Sequence, residues 1–529
     1  MNVRFLLFFF LFQNLVFSQL EDAWVFFNNK PNYEYFIENP LLILSQKSID
    51  KKKLKNIIID YRDVPVSQSY IQVIDDTEGI EVLSKSKWFN CVHVRGNYNQ
   101  IDELLDLDFV ENIEYANRSI NRNDNQENKN KFSEIEYYVT NRSPFDQIEM
   151  INLDFLHQNG FNGSGITIGV FDAGFRNVDN MNGFERLRSL GNIKYVYDFV
   201  DRTDDLFAYI GNAHGTNVLS IMAGYIEDQY YGSATDAEYY LFRTEDVSSE
   251  NPIEESYWVE AMERADSLGI DIANTSLGYR IYNNSAYSYS QQEMDGSTAF
   301  ISRGCNIANE KGIILVNSAG NSSDNGVIAP ADSKGVFSIG AVNGFGNYVS
   351  FSSQGNDFQE VIKPDISARG AGTYLINSLD NIVQGNGTSY SSPIIAGSMA
   401  CLLQAFPSLN NDQIMNIVRY TASQYEFPDN YLGYGIPNFK LAYELALNIE
   451  SKLVTIFPNP VYDYLKILSS IASNLEVKLF DISAKLLYSD TISGVLNNID
   501  MRYLNKGVYL LEVKFQDGKT TDLFKIIKD

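Results

Sequence analysis

Between about Gln147 and Leu447, apolar segments of strand length alternate with helical stretches. Segments of this kind are typical of parallel sheets, in which a helix connects each strand to the next. The clearest of them are Ile166–Phe171, Glu238–Arg243, Ile270–Ser276, Ile313–Asn317 and Val336–Val342. The alternation predicts an α/β fold, with a parallel sheet covered by helices on both faces. The remainder of the 529-residue chain is then left for further domains.

The two ends of the chain have patterns that differ from the centre. Residues 19–116 combine short strand-like segments with an amphipathic segment near Gln100–Leu107 that predicts a helix, so we expect a small α+β domain. Residues 117–146 form a linker and the start of the mature central domain, and their Asn-rich, charged first half favours proteolytic cutting. Residues 454–529 return to short strands between Gly, Asn and Asp turns, which predicts a small β-sandwich.

The first 18 residues have the organisation of a secretory signal peptide, with Arg4 ahead of an apolar run and small Ser18 at the end. The run is too short to span a membrane, and no later stretch approaches about 20 apolar residues, so we expect no transmembrane segment. The chain has 41 Lys and Arg against 67 Asp and Glu, and its net charge of −26 would repel nucleic acid. The sequence therefore predicts an exported protein that is soluble or attached to a surface.

Three cysteines, Cys91, Cys305 and Cys401, allow at most one intramolecular disulfide. The sequence does not decide whether Cys305 and Cys401 form it. So few cysteines cannot hold a scaffold together, which means that stability must come from packed cores. A reactive thiol would need a histidine close by, as His93 is to Cys91, but ordinary thiols are the favoured interpretation for all three.

Histidine is scarce, which narrows the search for a general base to His93, His157 and His214. His93 lies in the N-terminal domain, and His157 follows an amphipathic segment in which a packed or solvent-facing role is expected. His214 opens a segment of small and apolar residues and is followed by Gly215, so it can reach into a cleft as a general base must. On this evidence alone, a structural role for His214 is equally possible.

Asp172 ends the apolar segment Ile166–Phe171, and active sites of open parallel sheets form at the carboxyl ends of strands. A carboxylate at that position could orient the imidazole of His214. The alternative is a helix N-cap or a turn, since Asp is common in both.

Ser389 lies shortly before Ile394–Ala405, a segment that is apolar or small on nearly all sides and therefore predicts a buried central helix. We expect Pro393 in the first turn of this helix and Ser389 at its N-terminus. Free N–H groups and the positive end of the helix dipole favour a developing oxyanion there. The alternative is an ordinary N-cap serine.

Two more segments that follow predicted strands lie between His214 and Ser389. In Ser318-Ala319-Gly320-Asn321, the glycine permits close backbone approach, and the Asn321 amide could donate a hydrogen bond to an oxyanion. An ordinary turn is the alternative role for Asn321. The backbone of Ser276-Leu277-Gly278 could pair with an extended peptide, as in strand addition.

In this order, the five segments resemble the subtilisin-like serine proteases: D-x-G at Asp172, H-G-T-x-V at His214, S-L-G at Ser276, A-G-N at Asn321 and G-T-S-x-x-[AS]-P at Ser389. The resemblance implies the subtilisin-like fold and a serine endopeptidase. Ser389 would be the nucleophile, His214 the general base and then acid, and Asp172 the group that orients the imidazole. An α/β-hydrolase is excluded, because its histidine follows its serine and no histidine follows His214.

The same resemblance implies a substrate site beside the catalytic residues. Asn321 and the backbone N–H of Ser389 would form the oxyanion hole. The walls of the primary specificity pocket would be formed by Ser276, Leu277 and Gly278 and by Ser318, Ala319 and Gly320.

This sequence departs from the family pattern at two positions: Ala173 replaces the hydroxyl residue that is common after the catalytic Asp, and Tyr390 replaces a common Met. Both departures leave the catalytic groups themselves in place. The loop Tyr225–Gly232 is short and lacks a match to the calcium loop of the family. We therefore expect no cofactor and no obligatory calcium.

Residues 19–116 occupy the position of the family's inhibitory propeptide, and Phe109–Ile113 resembles the end of such domains. The resemblance implies that this domain blocks the active-site cleft until the linker is cut. The segments Ile456–Pro460 and Phe524–Lys528 resemble the sorting domain of bacterial type IX secretion, which implies export to the cell surface or the medium. An autonomous binding module, for example for carbohydrate, is the alternative for this C-terminal domain.

The expected partners are thus a peptide or protein substrate, the chain's own propeptide and the type IX secretion machinery. The alternative function is that of a catalytically inactive surface binding protein on the same scaffold. Such proteins usually lack a member of the triad, and none is missing from this sequence.

Overall fold

The structure, a computed structural model, describes residues 20–118, 143–451, 454–469, 474–493, 496–515 and 521–529. The predicted signal peptide, residues 1–18, and most of the predicted linker, residues 117–146, lie outside the described residues. Within those ranges, no helix is both long and apolar enough to cross a membrane.

The front domain, residues 20–118, is built on a four-stranded antiparallel sheet. Its strands are β1 (Leu20–Phe27), β2 (Ile80–Ser86), β3 (Cys91–Asn97) and β4 (Val110–Tyr115), in the order β2-β3-β1-β4. Its helices are α1 (Tyr33–Glu38), α2 (Gln46–Leu54), α3 (Gln68–Asp75) and α4 (Tyr98–Asp102). The helix predicted near Gln100–Leu107 is wrong in extent, because α4 is followed by a 3₁₀ turn over Glu103–Asp106. Its buried residues, Ile101 and Leu104, are three apart, the spacing at which 3₁₀ side chains align.

The central domain contains a seven-stranded sheet in which all neighbouring strands are parallel. Its strands are β5 (Thr167–Asp172), β6 (Ile193–Asp198), β9 (Glu238–Arg243), β10 (Ile272–Thr275), β11 (Ile314–Ser318), β12 (Val336–Val342) and β13 (Ile366–Arg369). They lie in the order β13-β12-β11-β10-β5-β9-β6. Two hairpins accompany them, β7 (Tyr225–Ile226) with β8 (Tyr230–Tyr231) and β14 (Ala371–Ile376) with β15 (Ile382–Asn386). The predicted parallel sheet is confirmed.

Helices cover both faces of this sheet, as predicted. They are α5 (Asp146–Glu149), α6 (Asp154–Gln158), α7 (Glu185–Ser189), α8 (His214–Ala223), α9 (Ile253–Leu268), α10 (Phe300–Glu310), α11 (Thr388–Ala405), α12 (Asn411–Tyr420) and α13 (Phe439–Ser451). Successive residues of β11 point to opposite faces. Val316 packs in the core formed with α8 and α11, whereas Leu315 packs in the core formed with α9 and α10. Burial on both sides explains the continuous apolar sequence of these strands.

The front domain packs against α9 and α10. The ring of Trp24 in β1 stacks on Phe300, with centroids 4.7 Å apart, and its Nε1–H donates to the hydroxyl of Ser256 at 2.8 Å. Lys52 and Asp266 form a fully buried ion pair across the interface, with Nζ 2.7 Å from Oδ1. Removing one partner of such a pair would leave an unpaired buried charge, which is strongly destabilising.

The C-terminal domain consists of two small antiparallel sheets. Its strands are β16 (Val454–Phe457), β17 (Tyr464–Ser469), β18 (Leu475–Asp481), β19 (Leu486–Ile492), β20 (Leu496–Asp500), β21 (Gly507–Phe515) and β22 (Thr521–Lys528). One sheet has the order β16-β17-β20 and the other β19-β18-β21-β22. Leu465 from the first sheet and Val477 from the second are fully buried in one shared core, as the predicted β-sandwich requires.

Candidate active site

Asp172 and His214 meet at the carboxyl end of the sheet. Asp172 is the last residue of β5 and is fully buried, and its Oδ1 accepts hydrogen bonds from Nδ1–H of His214 and from the backbone N–H of Ala173, each at 2.7 Å. His214 is the first residue of α8, and its backbone N–H donates to Oδ1 of Asn212 at 2.7 Å. Because Nδ1 carries the proton that faces the carboxylate, Nε2 is left with a lone pair that can accept a proton.

Gly215 makes this approach possible. A Cβ at that position would lie 2.7 Å from the carbonyl oxygen of Gly174 and 2.9 Å from Cβ of Asp172. Both distances are shorter than a carbon side chain tolerates, so only glycine lets the start of α8 approach the end of β5 this closely. The glycine of the H-G-T-x-V motif therefore allows α8 to contact the end of β5.

Ala173 leaves a polar atom without a partner. Within the described part of the chain, Oδ2 of Asp172 is buried and accepts no hydrogen bond. A hydroxyl residue after Asp172 would supply a donor in this neighbourhood, whereas Ala173 is fully buried and has none. The carboxylate of Asp172 thus bonds to His214 through Oδ1 and has no donor on Oδ2 among the described residues.

Ser389 lies in the first turn of α11, which begins at Thr388 after Gly387. Gly387 has φ +145°, a conformation that residues with a side chain rarely adopt. The hydroxyl of Ser389 donates to the carbonyl oxygen of Ser276 at 3.2 Å, and the Ser276 hydroxyl donates to the carbonyl oxygen of Ser389 at 2.9 Å. The end of β10 is thereby joined directly to the start of α11.

The prediction that Pro393 lies in the first turn of the helix is wrong. The helix starts at Thr388, so Pro393 lies in the second turn. Proline has no N–H, which leaves the carbonyl of the residue four positions earlier, Ser389, without its helical donor. The hydroxyl of Ser276 replaces that donor, and this contact between distant segments explains why the helix tolerates the proline.

Asn321 follows β11 and is oriented by Thr388. Its Oδ1 accepts hydrogen bonds from the backbone N–H of Thr388 at 2.9 Å and from the Thr388 hydroxyl at 3.0 Å. These two donors assign the oxygen side of the amide, so the Nδ2 side faces away from Thr388 and is available to a ligand. The same hydroxyl accepts a hydrogen bond from the backbone N–H of Gly320 at 3.1 Å.

The two predicted wall segments lie on either side of Ile328. A Cβ added to Gly278 would clash with Cδ1 of Ile328, and one added to Gly320 would lie 3.1 Å from its Cγ1. Ile328 itself is partly exposed. Sequence reasoning did not find this residue, because its contacts with both glycines depend on the tertiary fold.

Tyr390 lies beside His214, with ring centroids 6.0 Å apart and the planes at 31°. It is partly buried and takes the position directly after Ser389. The aromatic ring therefore forms one side of the surroundings of the imidazole.

The other two histidines have structural partners. His93 is buried at the interface of the front domain, with Nδ1 2.8 Å from the Ser256 hydroxyl and Nε2 3.0 Å from Oδ1 of Asp22. Nε2 of His157 donates to the carbonyl oxygen of Ser233 at 3.1 Å, and burial lowers the pKa of His157 below its usual value. Neither contact involves the groups around Ser389.

The three cysteines are free and buried, and no disulfide joins Cys305 to Cys401. Burial raises the pKa of each of the thiols, Cys91, Cys305 and Cys401, well above its ordinary value. A high thiol pKa disfavours the thiolate that a nucleophile would need. Across the described residues, no group of three or more His, Cys, Asp or Glu side chains could hold a metal ion. The absence of obligatory calcium stays a prediction.

Residues 163–435, which contain Asp172, His214, Asn321 and Ser389, match the model of the subtilase family, Peptidase S8. The chain belongs to the subtilase family. In this subtilase, residues 22–133 also match the Peptidase S8 propeptide domain of Bacteroidota, and residues 455–529 match the secretion system C-terminal sorting domain.

Curated relatives resemble the subtilase over its central part. Subtilisin DY of Bacillus licheniformis is 30% identical over 301 residues, which cover 56% of this chain and 97% of the relative. Subtilisin Savinase of Lederbergia lenta is 26% identical over 296 residues, with coverage of 56% and 97%. Among solved structures, MycP1 from the ESX-1 type VII secretion system is similar at 21% identity and a TM-score of 0.45, covering 56% of this chain and 85% of that one.

The three matched domains define a secreted protein of the subtilase type with a propeptide in front and a sorting domain behind. The sorting domain marks the subtilase for type IX export to the cell surface or the medium. The predictions of the family, of the fold and of an exported location are therefore confirmed.

Proposed function

We propose that this subtilase is a serine endopeptidase that hydrolyses peptide bonds through an acyl-enzyme on Ser389. The observation that carries the proposal is the 2.7 Å hydrogen bond from Nδ1–H of His214 to the buried carboxylate of Asp172. This bond fixes the tautomer and the orientation of the imidazole, so that Nε2 can take the proton of the Ser389 hydroxyl as a general base. The protonated imidazole then donates its proton to the leaving amine.

The oxyanion of the tetrahedral intermediate is stabilised by two donors in this proposal. One is Nδ2 of Asn321, turned away from Thr388 by the two hydrogen bonds on its Oδ1. The other is the backbone N–H of Ser389, in the first turn of α11, where N–H groups lack intrahelical acceptors. Both donors are set before the substrate arrives, and water then hydrolyses the acyl-enzyme by the reverse sequence of proton transfers.

The substrate is an extended segment of peptide or protein. It lies along Ser276–Gly278 and Ser318–Gly320, whose backbones flank the start of α11. These segments serve as the walls of the primary specificity pocket, and main-chain hydrogen bonds to them keep the scissile bond in register with Ser389.

The front domain keeps the protein inactive until the chain is cut within residues 117–146. Its close fit on α9 and α10, including the buried pair of Lys52 with Asp266, supports a domain that stays bound to the enzyme before processing. Full activity in uncut protein would contradict this part of the proposal.

Hydrolysis of an unfolded protein such as casein by the purified, processed subtilase tests the activity. We expect cleavage by the wild type and its loss in Ser389→Ala and in His214→Ala. The Ser398→Ala variant, which removes a buried hydroxyl elsewhere in α11, is the control and should retain activity. Equal cleavage by wild type and Ser389→Ala would show that the activity does not reside at this site.

A further inference from the structure

An arginine from the front domain occupies a pocket of the central domain. The guanidinium carbon of Arg118 lies 3.9 Å from the ring centroid of Tyr289, and its Nη1 lies 3.3 Å from Oε1 of Glu293. The side chains of Arg118 and Glu293 are only 20% and 15% exposed. Arg118 thus stacks on Tyr289 and pairs with Glu293 where solvent is largely excluded, and such contacts are stronger there than at an open surface.

The pocket is built around Glu255, which is fully buried in α9. Its Oε1 accepts hydrogen bonds from the hydroxyls of Tyr282 at 2.5 Å and Tyr289 at 2.8 Å, and its Oε2 accepts one from the backbone N–H of Ile301 at 2.9 Å. Three donors from three places in the chain hold the carboxylate, which in turn holds the ring of Tyr289. The aromatic face is thus fixed by the central domain itself and does not depend on Arg118.

The pocket adjoins the proposed substrate site along the chain. Tyr279 directly follows the wall segment Ser276–Gly278, and its N–H donates to the carbonyl of Ala329 at 2.7 Å. From there the chain forms a loop that closes where the N–H of Tyr289 donates to the carbonyl of Arg280 at 2.8 Å. A single closed loop therefore joins the wall segment Ser276–Gly278 to the pocket.

We propose that the pocket formed by Glu255, Tyr289 and Glu293 is a subsite for an arginine side chain of the substrate. The front domain fills it with Arg118 in the precursor and vacates it on processing. The inference rests on the proposed protease function and adds a second determinant of specificity, outside the primary pocket.

The chemistry of the pocket selects arginine over lysine. A planar guanidinium can stack on the Tyr289 ring and still direct an N–H group to the Glu293 carboxylate, as Arg118 does. A lysine ammonium is a compact, strongly hydrated charge that cannot stack in this way. Citrulline has nearly the shape of arginine without its charge, so it separates the electrostatic contribution from the fit.

Cleavage of a peptide library by the processed subtilase tests the subsite. The library carries arginine, lysine or citrulline at each position in turn, and the position of the subsite is the one where arginine increases kcat/KM. We expect arginine to be preferred over citrulline by about five- to tenfold at one position, with lysine in between.

Single-residue variants distinguish a loss of the arginine preference from a general loss of activity. Glu293→Gln and Tyr289→Leu should abolish the preference, whereas Tyr289→Phe, which keeps the ring face, should retain most of it. Glu227→Gln, at an exposed residue of the β7–β8 turn, removes one negative charge elsewhere and should leave the preference unchanged. The rate at which a small fluorophosphonate labels each variant shows that the catalytic residues remain intact.

The two proposals fail in different ways. If the peptides are cleaved and Ser389 is labelled, but arginine gives no preference or one that Glu293→Gln leaves intact, the subsite is refuted and Arg118 is only an anchor of the front domain. If no peptide is cleaved and Ser389 is not labelled, the protease function fails, and the subsite fails with it.

Discussion

Ser276 and Ser389 exchange two hydrogen bonds, one from each hydroxyl to the carbonyl oxygen of the other, at 2.9 Å and 3.2 Å. The first satisfies a carbonyl that Pro393 leaves without a helical donor. The second directs the Ser389 hydroxyl toward the end of β10. Ser276 therefore supports the start of α11 and contacts the hydroxyl of the proposed nucleophile.

Substituting Ser276 tests this supporting role. Ser276→Ala leaves the carbonyl of Ser389 without a donor, which costs about 1–3 kcal/mol, and we expect kcat for peptide hydrolysis to fall about tenfold. Ser398→Ala removes a hydroxyl that bonds the Ile394 carbonyl at 2.7 Å in the same helix, and it should change kcat by less than about twofold. Equal kcat values for the two variants would contradict the role assigned to Ser276.

Thr388 is expected to act by positioning Asn321. Thr388→Val keeps the shape of the side chain and the backbone N–H, but it removes the hydroxyl that bonds Oδ1 of Asn321 and accepts from Gly320. We expect kcat to fall about tenfold with KM nearly unchanged, because the amide orientation matters mainly to the transition state.

Asn321→Ala should lower kcat further than Thr388→Val does, by a factor of about 10²–10³. This magnitude was established on a subtilisin, which is a relative of this chain. Steady-state kinetics of the two variants and of the double variant measure the coupling. If Thr388→Val lowers kcat just as far when Asn321 is already alanine, the two residues act independently and the positioning role is wrong.

Ile328 limits the size of the primary pocket in this account. Because it fills the space between Gly278 and Gly320, we expect the wild type to cleave after alanine faster than after phenylalanine. Ile328→Gly should raise kcat/KM for phenylalanine relative to alanine by about tenfold or more, since burying a phenyl ring contributes about 1.5–3 kcal/mol. Leu379→Gly, at an exposed apolar residue, is the control. An unchanged ratio in Ile328→Gly would place the pocket elsewhere.

Because His157 is buried, we expect the folded protein to lose stability in mild acid. Burial lowers its pKa, although the Ser233 carbonyl, Asp154 and Asp236 oppose the shift. As the pH falls through the usual histidine pKa of about 6.5, the unfolded chain binds a proton that the folded chain resists, so the free energy of unfolding decreases. Both proteins carry Ser389→Ala. Between about pH 7.5 and pH 5, the thermal unfolding midpoint of the His157→Gln variant should fall less than that of the parent. Parallel midpoint curves for the two proteins would exclude this contribution.

Local sequence pattern predicted five of the seven strands of the central sheet. β9 and β12 begin and end at the predicted residues, because strands of a parallel sheet covered on both faces are mainly apolar. Asp172 ends β5, and Asn321 follows β11 after two intervening residues. His214 and Ser389 lie at the start of helices, so chain order alone places all four near one edge of the sheet.

Contacts between distant segments account for what the sequence did not predict. The position of Pro393 in the second turn depends on a hydrogen bond from Ser276, and the role of Ile328 depends on glycines of two other segments. The pocket of Arg118 likewise joins the front domain to α9 and to the loop that contains Tyr289 and Glu293. None of these contacts has a periodic or local signal, because each arises only when the domains have packed.

The identity of the residue that an organofluorophosphonate labels tests the central claim most directly. Such a reagent phosphonylates a serine that a neighbouring base has activated. After processing, mass spectrometry of wild-type peptides should find the label on Ser389, absent in Ser389→Ala and strongly reduced in His214→Ala. A processed wild type that stays unlabelled, or is labelled at another serine, would contradict the account and favour an inactive binding protein on a subtilase scaffold.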